Sequence, residues 1–169
     1  WIPQTSSYKI ISRYAGIDQN GGGIYHYLNI PALQSVLAAT NLHFDYILFD
    51  ECYMASVEAL YQLRNYAYYF IGSPTEIPAP GAYYTDVVRA MFATPSSTTA
   101  LNNASQTADA YYNYYKNKYN ITSDCSNENW TEGVSISLIK SSGLENLADA
   151  TKNILPAYIK NKTAINTSN

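Results

Sequence analysis

Hydrophobic and polar positions divide this chain into alternating strand-like and helix-like segments. Residues 44–49 (FDYILF) are apolar but for one acid. A short run of that kind predicts a strand covered on both faces, as at the centre of a parallel sheet. Residues 29–40 (NIPALQSVLAAT) predict a helix: Asn29 is a cap, Pro31 suits the first turn, and Ile30, Leu33, Val36 and Leu37 share one face. From Ser56 to Tyr69, apolar Ala59, Leu60, Leu63, Tyr66 and Ala67 recur at helical spacing. YYFIGS (68–73) predicts a second strand. It ends in SPTEIPAPG, a loop with Pro74, Pro78 and Pro80 that Gly81 closes.

A helix over about 83–93 follows, then a break at PSSTT. Thr98 or Thr99 can cap a long helix reaching about Tyr119, with tyrosine pairs at 111/112 and 114/115. VSISLIK (134–140) alternates like a strand, and SSGLENLADATKNIL (141–155) is amphipathic. Near the start, YKIISRY (8–14) reads as a short strand or hairpin arm. DQNGGG (18–23) and TSDCSNENWTEG (122–133) read as loops. Strands alternating with helices predict a layered α/β domain with a mainly parallel sheet, one domain over 1–169.

Composition narrows the classes. Charged residues are 14% of the 169 and the net charge is −3, so no basic surface points to nucleic acid. Polarity comes from Asn, Ser, Thr and 18 tyrosines, which read mainly as packing and surface. No apolar run approaches the ~18 residues of a membrane helix. Two cysteines make no disulfide framework, and no acids have calcium-loop spacing, so neither metal nor cofactor is expected. The Asn-rich, low-charge character leans toward an exported protein.

Cys52 carries the chemistry of interest. It follows a strand end, where sites gather in open α/β sheets, and precedes a helical pattern. A helix start favours a thiolate and can stabilise an oxyanion; the neighbouring Glu51 opposes ionisation. Position alone favours a buried structural cysteine, since free Cys is among the most buried residues. A nucleophilic thiol needs a base. His43 starts the strand that leads to Cys52, roughly 25–30 Å away, and cannot serve. His26 follows the glycine loop at a place the sequence does not fix. Cys125 reads as a surface thiol, and Glu58 and Arg64 as solvated helix charges.

The segment FDYILFDECYMASVEALYQLRNYAYYFIGSPTEIPAPGAYY resembles the cysteine-containing region of the clostripain family of cysteine peptidases. That family carries Asp-x-Cys-x-Met, small residues and Val/Ile-Glu after an apolar strand, matched here by Asp50, Cys52, Met54, Ala55, Val57 and Glu58. Ser73, Glu76, Gly81, Tyr83 and Tyr84 match its next loop. The resemblance implies a caspase-like α/β/α sandwich with a mainly parallel sheet, present as a fragment lacking the N-terminal strands. It implies a His–Cys dyad with Cys52 as nucleophile, and a histidine just upstream of the opening WIP, carried by the remaining part of the same peptidase. It makes Asp50 the acid that selects Arg or Lys before the cut bond, with Ser73, Thr75 and Glu76 lining the cleft. Asp50 also suits a plain cap, and the loop residues a plain turn.

The expected substrate is a peptide or protein, the expected location the exterior or envelope of a bacterium, and the chain alone is expected to be inactive. Where the family usually has Ala, this chain has Glu51. An inactive cell-surface binding domain is therefore the alternative, and a different thiol hydrolase using His26 a third.

Overall fold

In a computed structural model of the chain, residues 14–18, 26–78, 80–93, 99–119 and 134–161 are described. The segments read as loops at 122–133 and as a strand start at 8–13, with Cys125, lie outside them.

Strands β1 (Tyr14–Asp18) and β2 (His26–Asn29) pair antiparallel as a hairpin. Helix α1 (Ile30–Thr40) starts where expected: Asn29 Oδ1 accepts the Ala32 N–H at 2.9 Å, and Pro31 occupies the first turn. Asn41 ends it in the left-handed region at φ 53°, a conformation that Asn tolerates better than most residues. Ile30 is buried and Leu33 and Leu37 pack behind it, whereas Val36 is exposed at the edge of that face.

Three strands form the main sheet in the order β3 (Phe44–Leu48), β4 (Ala67–Gly72), β5 (Ser137–Lys140). β3 and β4 run parallel, with Tyr46 opposite Tyr69 and Leu48 opposite Ile71; β4 and β5 run antiparallel. Among the described strands, β4 is therefore the middle one, not β3. Its Phe70 and Ile71 are fully buried, while no residue of β3 is fully buried.

Helix α2 (Val57–Leu63) is shorter than its periodicity implied. Tyr66 and Ala67 continue the helical spacing but serve the turn and the first residue of β4. The pattern of a buried strand start is indistinguishable from one more helical turn. Helix α3 (Tyr84–Met91) and the 20-residue α4 (Ala100–Tyr119) follow, with the Thr99 hydroxyl accepting the Asn102 N–H at the start of α4. After β5, a single 3₁₀ turn (Ser141–Gly143) leads into α5 (Leu144–Lys160), which continues beyond Leu155 through Pro156.

The helices cover both faces of the sheet, as the α/β expectation requires. On one face Ile30, Met54, Leu60, Leu63, Phe70 and Leu144 form the larger core, joining α1, α2 and α5 to β3 and β4. On the other, Ala82, Val87, Tyr111 and Tyr115 form a second core between α3, α4 and the sheet. Tyr111 and Tyr115 lie one turn apart on α4 and face inward; Tyr114 stacks on Tyr83 at 4.5 Å, and Tyr112 is exposed. The described tyrosines thus divide between packing and surface: Tyr111 and Tyr115 are buried, whereas Tyr53, Tyr68, Tyr83, Tyr84, Tyr112 and Tyr158 are exposed.

Because Phe70 is fully buried at the centre of β4, Phe70→Ala should cost about 3–5 kcal/mol. Denaturant unfolding checks this; a loss below about 1 kcal/mol would contradict the central place given to β4.

Candidate active site

The carboxyl ends of β3 and β4 meet in two loops strapped together by backbone hydrogen bonds. Phe49 N–H still reaches Ile71 O at 2.8 Å, extending the ladder past β3. The chain then turns sharply through Glu51–Ala55, with Tyr53 at φ 63°, a left-handed conformation that costs a non-glycine residue energy and persists only when neighbours enforce it. Here they do: Tyr53 N–H donates to Thr75 O at 2.9 Å, Ala55 N–H to Ser73 O at 3.0 Å, and the Tyr53 hydroxyl to Glu76 Oε1 at 3.0 Å. Met54 is buried under the turn, and Gly72 passes so close that a Cβ there would lie 3.4 Å from Ala55 N.

Cys52 is half-buried at this junction, neither sealed in the core nor fully exposed. Its sulfur faces the loop after β4: Ile77 N–H donates to Sγ at 3.3 Å. Sequence reasoning placed the thiol against a helix start. Instead, Ser56 caps α2, accepting the Ala59 N–H at 3.4 Å, and a four-residue separation sets Cys52 off from that cap. The N–H that meets the sulfur is Ile77's. A backbone N–H aimed at sulfur solvates negative charge developing there.

Asp50 is anchored from three directions. Ala82 N–H donates to both carboxylate oxygens at 3.0 and 2.9 Å, the Tyr111 hydroxyl to Oδ1 at 2.8 Å, and the Tyr84 hydroxyl to Oδ2 at 2.5 Å. Gly81 lets the loop come this close. Its φ is +65°, and a Cβ there would lie 2.5 Å from Asp50 Oδ2. Tyr115 donates to Gly81 O from α4 and holds the turn from beneath. The hydrogen bond to Asp50, followed by burial, pushes the Tyr84 phenol up to about 12. Burial first, then the same carboxylate, raises Tyr111 further. Burial also raises Glu51 above the usual carboxylate value.

Of the loop residues matched by resemblance, Ser73 is fully buried, its hydroxyl accepting the Thr75 N–H at 3.1 Å within the loop. Thr75 and Glu76 are exposed. The partners that sequence reading missed are Tyr84, Tyr111, Ala82 N–H and Ile77 N–H. Gly81, flagged as a loop-closing glycine, and Tyr84, matched to the family's loop, were the signals that this junction offered; neither named Asp50 as the partner.

Neither histidine is shown near Cys52. His43 precedes β3, at the opposite end from Cys52, with its ring 4.3 Å from that of Tyr68. It lines a groove at that far pole with Arg64 and Glu145. Arg64, expected to be a solvated charge, is instead paired with Glu145 at 2.7 Å and stacked on Tyr61. His26 opens β2, and its side chain lies outside the described residues. Among the described residues no group of three or more His, Cys, Asp or Glu could hold a metal, and no helix is long and apolar enough to cross a membrane.

The family model of the clostripain family, Peptidase C11, matches residues 1–169. The chain belongs to the clostripain family. Its fold also matches solved structures of that family. A B. fragilis cysteine protease is 43% identical, with a TM-score of 0.70 over 85% of this chain and 54% of that one. A secreted C11 cysteine protease from Bacteroides thetaiotaomicron, solved with an irreversible peptide inhibitor, is 54% identical, with a TM-score of 0.69 over 83% of this chain and 37% of that one. A clostripain from Bacteroides thetaiotaomicron in complex with the peptide inhibitor BTN-VLTK-AOMK is 28% identical, with a TM-score of 0.60 over 79% of this chain and 52% of that one. The chain thus spans about half or less of these clostripain-family proteases. No curated protein matches it.

The Asp50 cluster gives stability a definite alkaline limit. An unfolded phenol loses its proton near 10, whereas Tyr84 in the clostripain-family fold holds its proton to about 12. A raised folded pKa stabilises fully below the unfolded value and stops doing so as pH rises through the folded one. The melting temperature should therefore hold up to about pH 10 and fall between about 10 and 12. Tyr84→Phe should fall less steeply in that window; an identical fall would contradict the Tyr84–Asp50 bond.

Proposed function

We propose that this chain is the nucleophile-bearing part of a secreted bacterial cysteine endopeptidase that cuts peptide bonds after Arg or Lys. The observation that carries the reading is the half-exposed Cys52 thiol at the strand-end junction, two residues from a fixed carboxylate. Family membership and the relatives' peptide inhibitors support it.

Catalysis begins when a histidine, supplied by polypeptide just upstream of Trp1, takes the Cys52 proton. The thiolate attacks the scissile carbonyl, and the carbonyl oxygen gains negative charge. The Cys52 backbone N–H contributes to stabilising that charge. Collapse breaks the C–N bond, and the histidine gives its proton to the leaving amine. The thioester left on Cys52 is attacked by water, which the histidine deprotonates. The acid departs and the thiol is restored.

Asp50 faces the basic side chain before the cut bond, where opposite charge favours Lys or Arg. The B. thetaiotaomicron clostripain's inhibitor carries peptide letters ending in lysine, in keeping with a basic preference. Thr75 and Glu76 flank the cleft from the β4 loop. Ser73, buried, shapes that loop and holds Thr75 in place. The whole 1–169 chain acts as one partial peptidase domain and pairs with the segment that carries the histidine.

In the complete peptidase, Cys52→Ala should lower kcat after Arg or Lys by at least about a thousandfold without abolishing folding. Retained cleavage would reject Cys52 as the nucleophile. Glu51→Ala, which removes an adjacent carboxylate, should speed alkylation of Cys52 by iodoacetamide at pH 7 about two- to fivefold. An unchanged rate would show that Glu51 does not influence the thiol.

A further inference from the structure

An ionised carboxylate offers about four in-plane acceptor positions. In Asp50 they are already taken. The Ala82 N–H lies between the two oxygens at 3.0 and 2.9 Å, and each oxygen accepts one phenol, Tyr111 on Oδ1 and Tyr84 on Oδ2. A cation reaching this carboxylate finds no open lone pair and must replace a donor.

The three donors are not equally replaceable. Tyr111 is 0% exposed and Ala82 4%, each locked in the core between α3, α4 and the sheet. Tyr84 is 55% exposed, at the first residue of α3, and turning its side chain would carry the hydroxyl into solvent without disturbing that core.

We propose that Tyr84 gates the Asp50 carboxylate: its hydroxyl holds the acceptor position on the exposed side, and a substrate's ammonium or guanidinium group displaces it to pair with Asp50. This rests on the reading of Asp50 as the acid that meets a basic side chain. While the site is empty, the phenol keeps the carboxylate satisfied and fixed in place. When a basic residue arrives, its charged donor outcompetes a neutral hydroxyl for the same oxygen. The freed hydroxyl is then solvated by water. Tyr84 is a specificity-determining residue in this scheme; it touches neither the sulfur nor the scissile bond.

The test is steady-state kinetics of the complete peptidase on peptides with Arg, Lys or norleucine before the cut bond. Tyr84→Phe and Tyr84→Ala should each lower KM for Arg and Lys by about tenfold, because no hydroxyl must be displaced, with kcat unchanged. Norleucine peptides, which carry no donor to Asp50, should be unaffected. Both variants lose the Tyr84–Asp50 bond and should melt somewhat below wild type under pH 10, yet stay folded at the assay temperature, since the ring is largely exposed and lies outside the core. An unchanged or raised KM overturns the gate. A gain in Tyr84→Ala alone would make the ring a steric cover and overturn the role of the hydroxyl. A wild-type enzyme that cuts norleucine peptides as well as basic ones would overturn the Asp50 reading itself, and the gate with it, before any variant is measured.

Discussion

One carboxylate organises this end of the molecule. A charge removed from water must be met by donors, and Asp50 is half-buried. Its donors come from the Gly81–Ala82 turn, the start of α3 and the middle of α4. Satisfying Asp50 therefore ties the end of β3 to both helices of the second layer. The turn can approach only because Gly81 has no side chain and adopts φ +65°. Moving any one of these pieces leaves a carboxylate or a phenol without its partner.

Cys52 inherits its place from this arrangement. It lies two residues beyond Asp50, in a turn bent by Tyr53 and strapped to the loop after β4. The sulfur is presented by backbone contacts at the sheet's rim, and the helix that follows begins only after Ser56. Loops held by ladder-like hydrogen bonds behave as extensions of the strands, which is how a rigid sheet fixes a side chain on its edge. The far pole of the same sheet, with His43, Arg64 and Glu145, takes no part in it.

Elements with local signals were legible in the sequence. The Asn29 cap with Pro31, the Thr99 cap and the Gly81 turn each follow from one residue's chemistry, and each is where it was expected. The β3 run and the layered α/β plan were legible from periodicity. What escaped depends on contacts distant in sequence. Whether Tyr66 and Ala67 prolong α2 or open β4 is decided by pairing with Phe44, which no local pattern encodes. The bond between Tyr111 and Asp50 spans 61 positions, so that the tyrosines read as packing and surface and not as partners of a carboxylate. The N–H at the sulfur was assigned to a helix when it belongs to Ile77, 25 positions on. The motif around Cys52 carried the family through resemblance, which the family match then established.

The most direct measurement is covalent labelling of the complete peptidase with a peptidyl acyloxymethyl ketone ending in lysine, followed by intact-mass and peptide mapping. The expected result is a single adduct, on Cys52, prevented by prior alkylation of that thiol. An adduct on Cys125 instead, or none on an enzyme that still cuts peptides, would contradict the claim that this strand-end sulfur is the one that attacks.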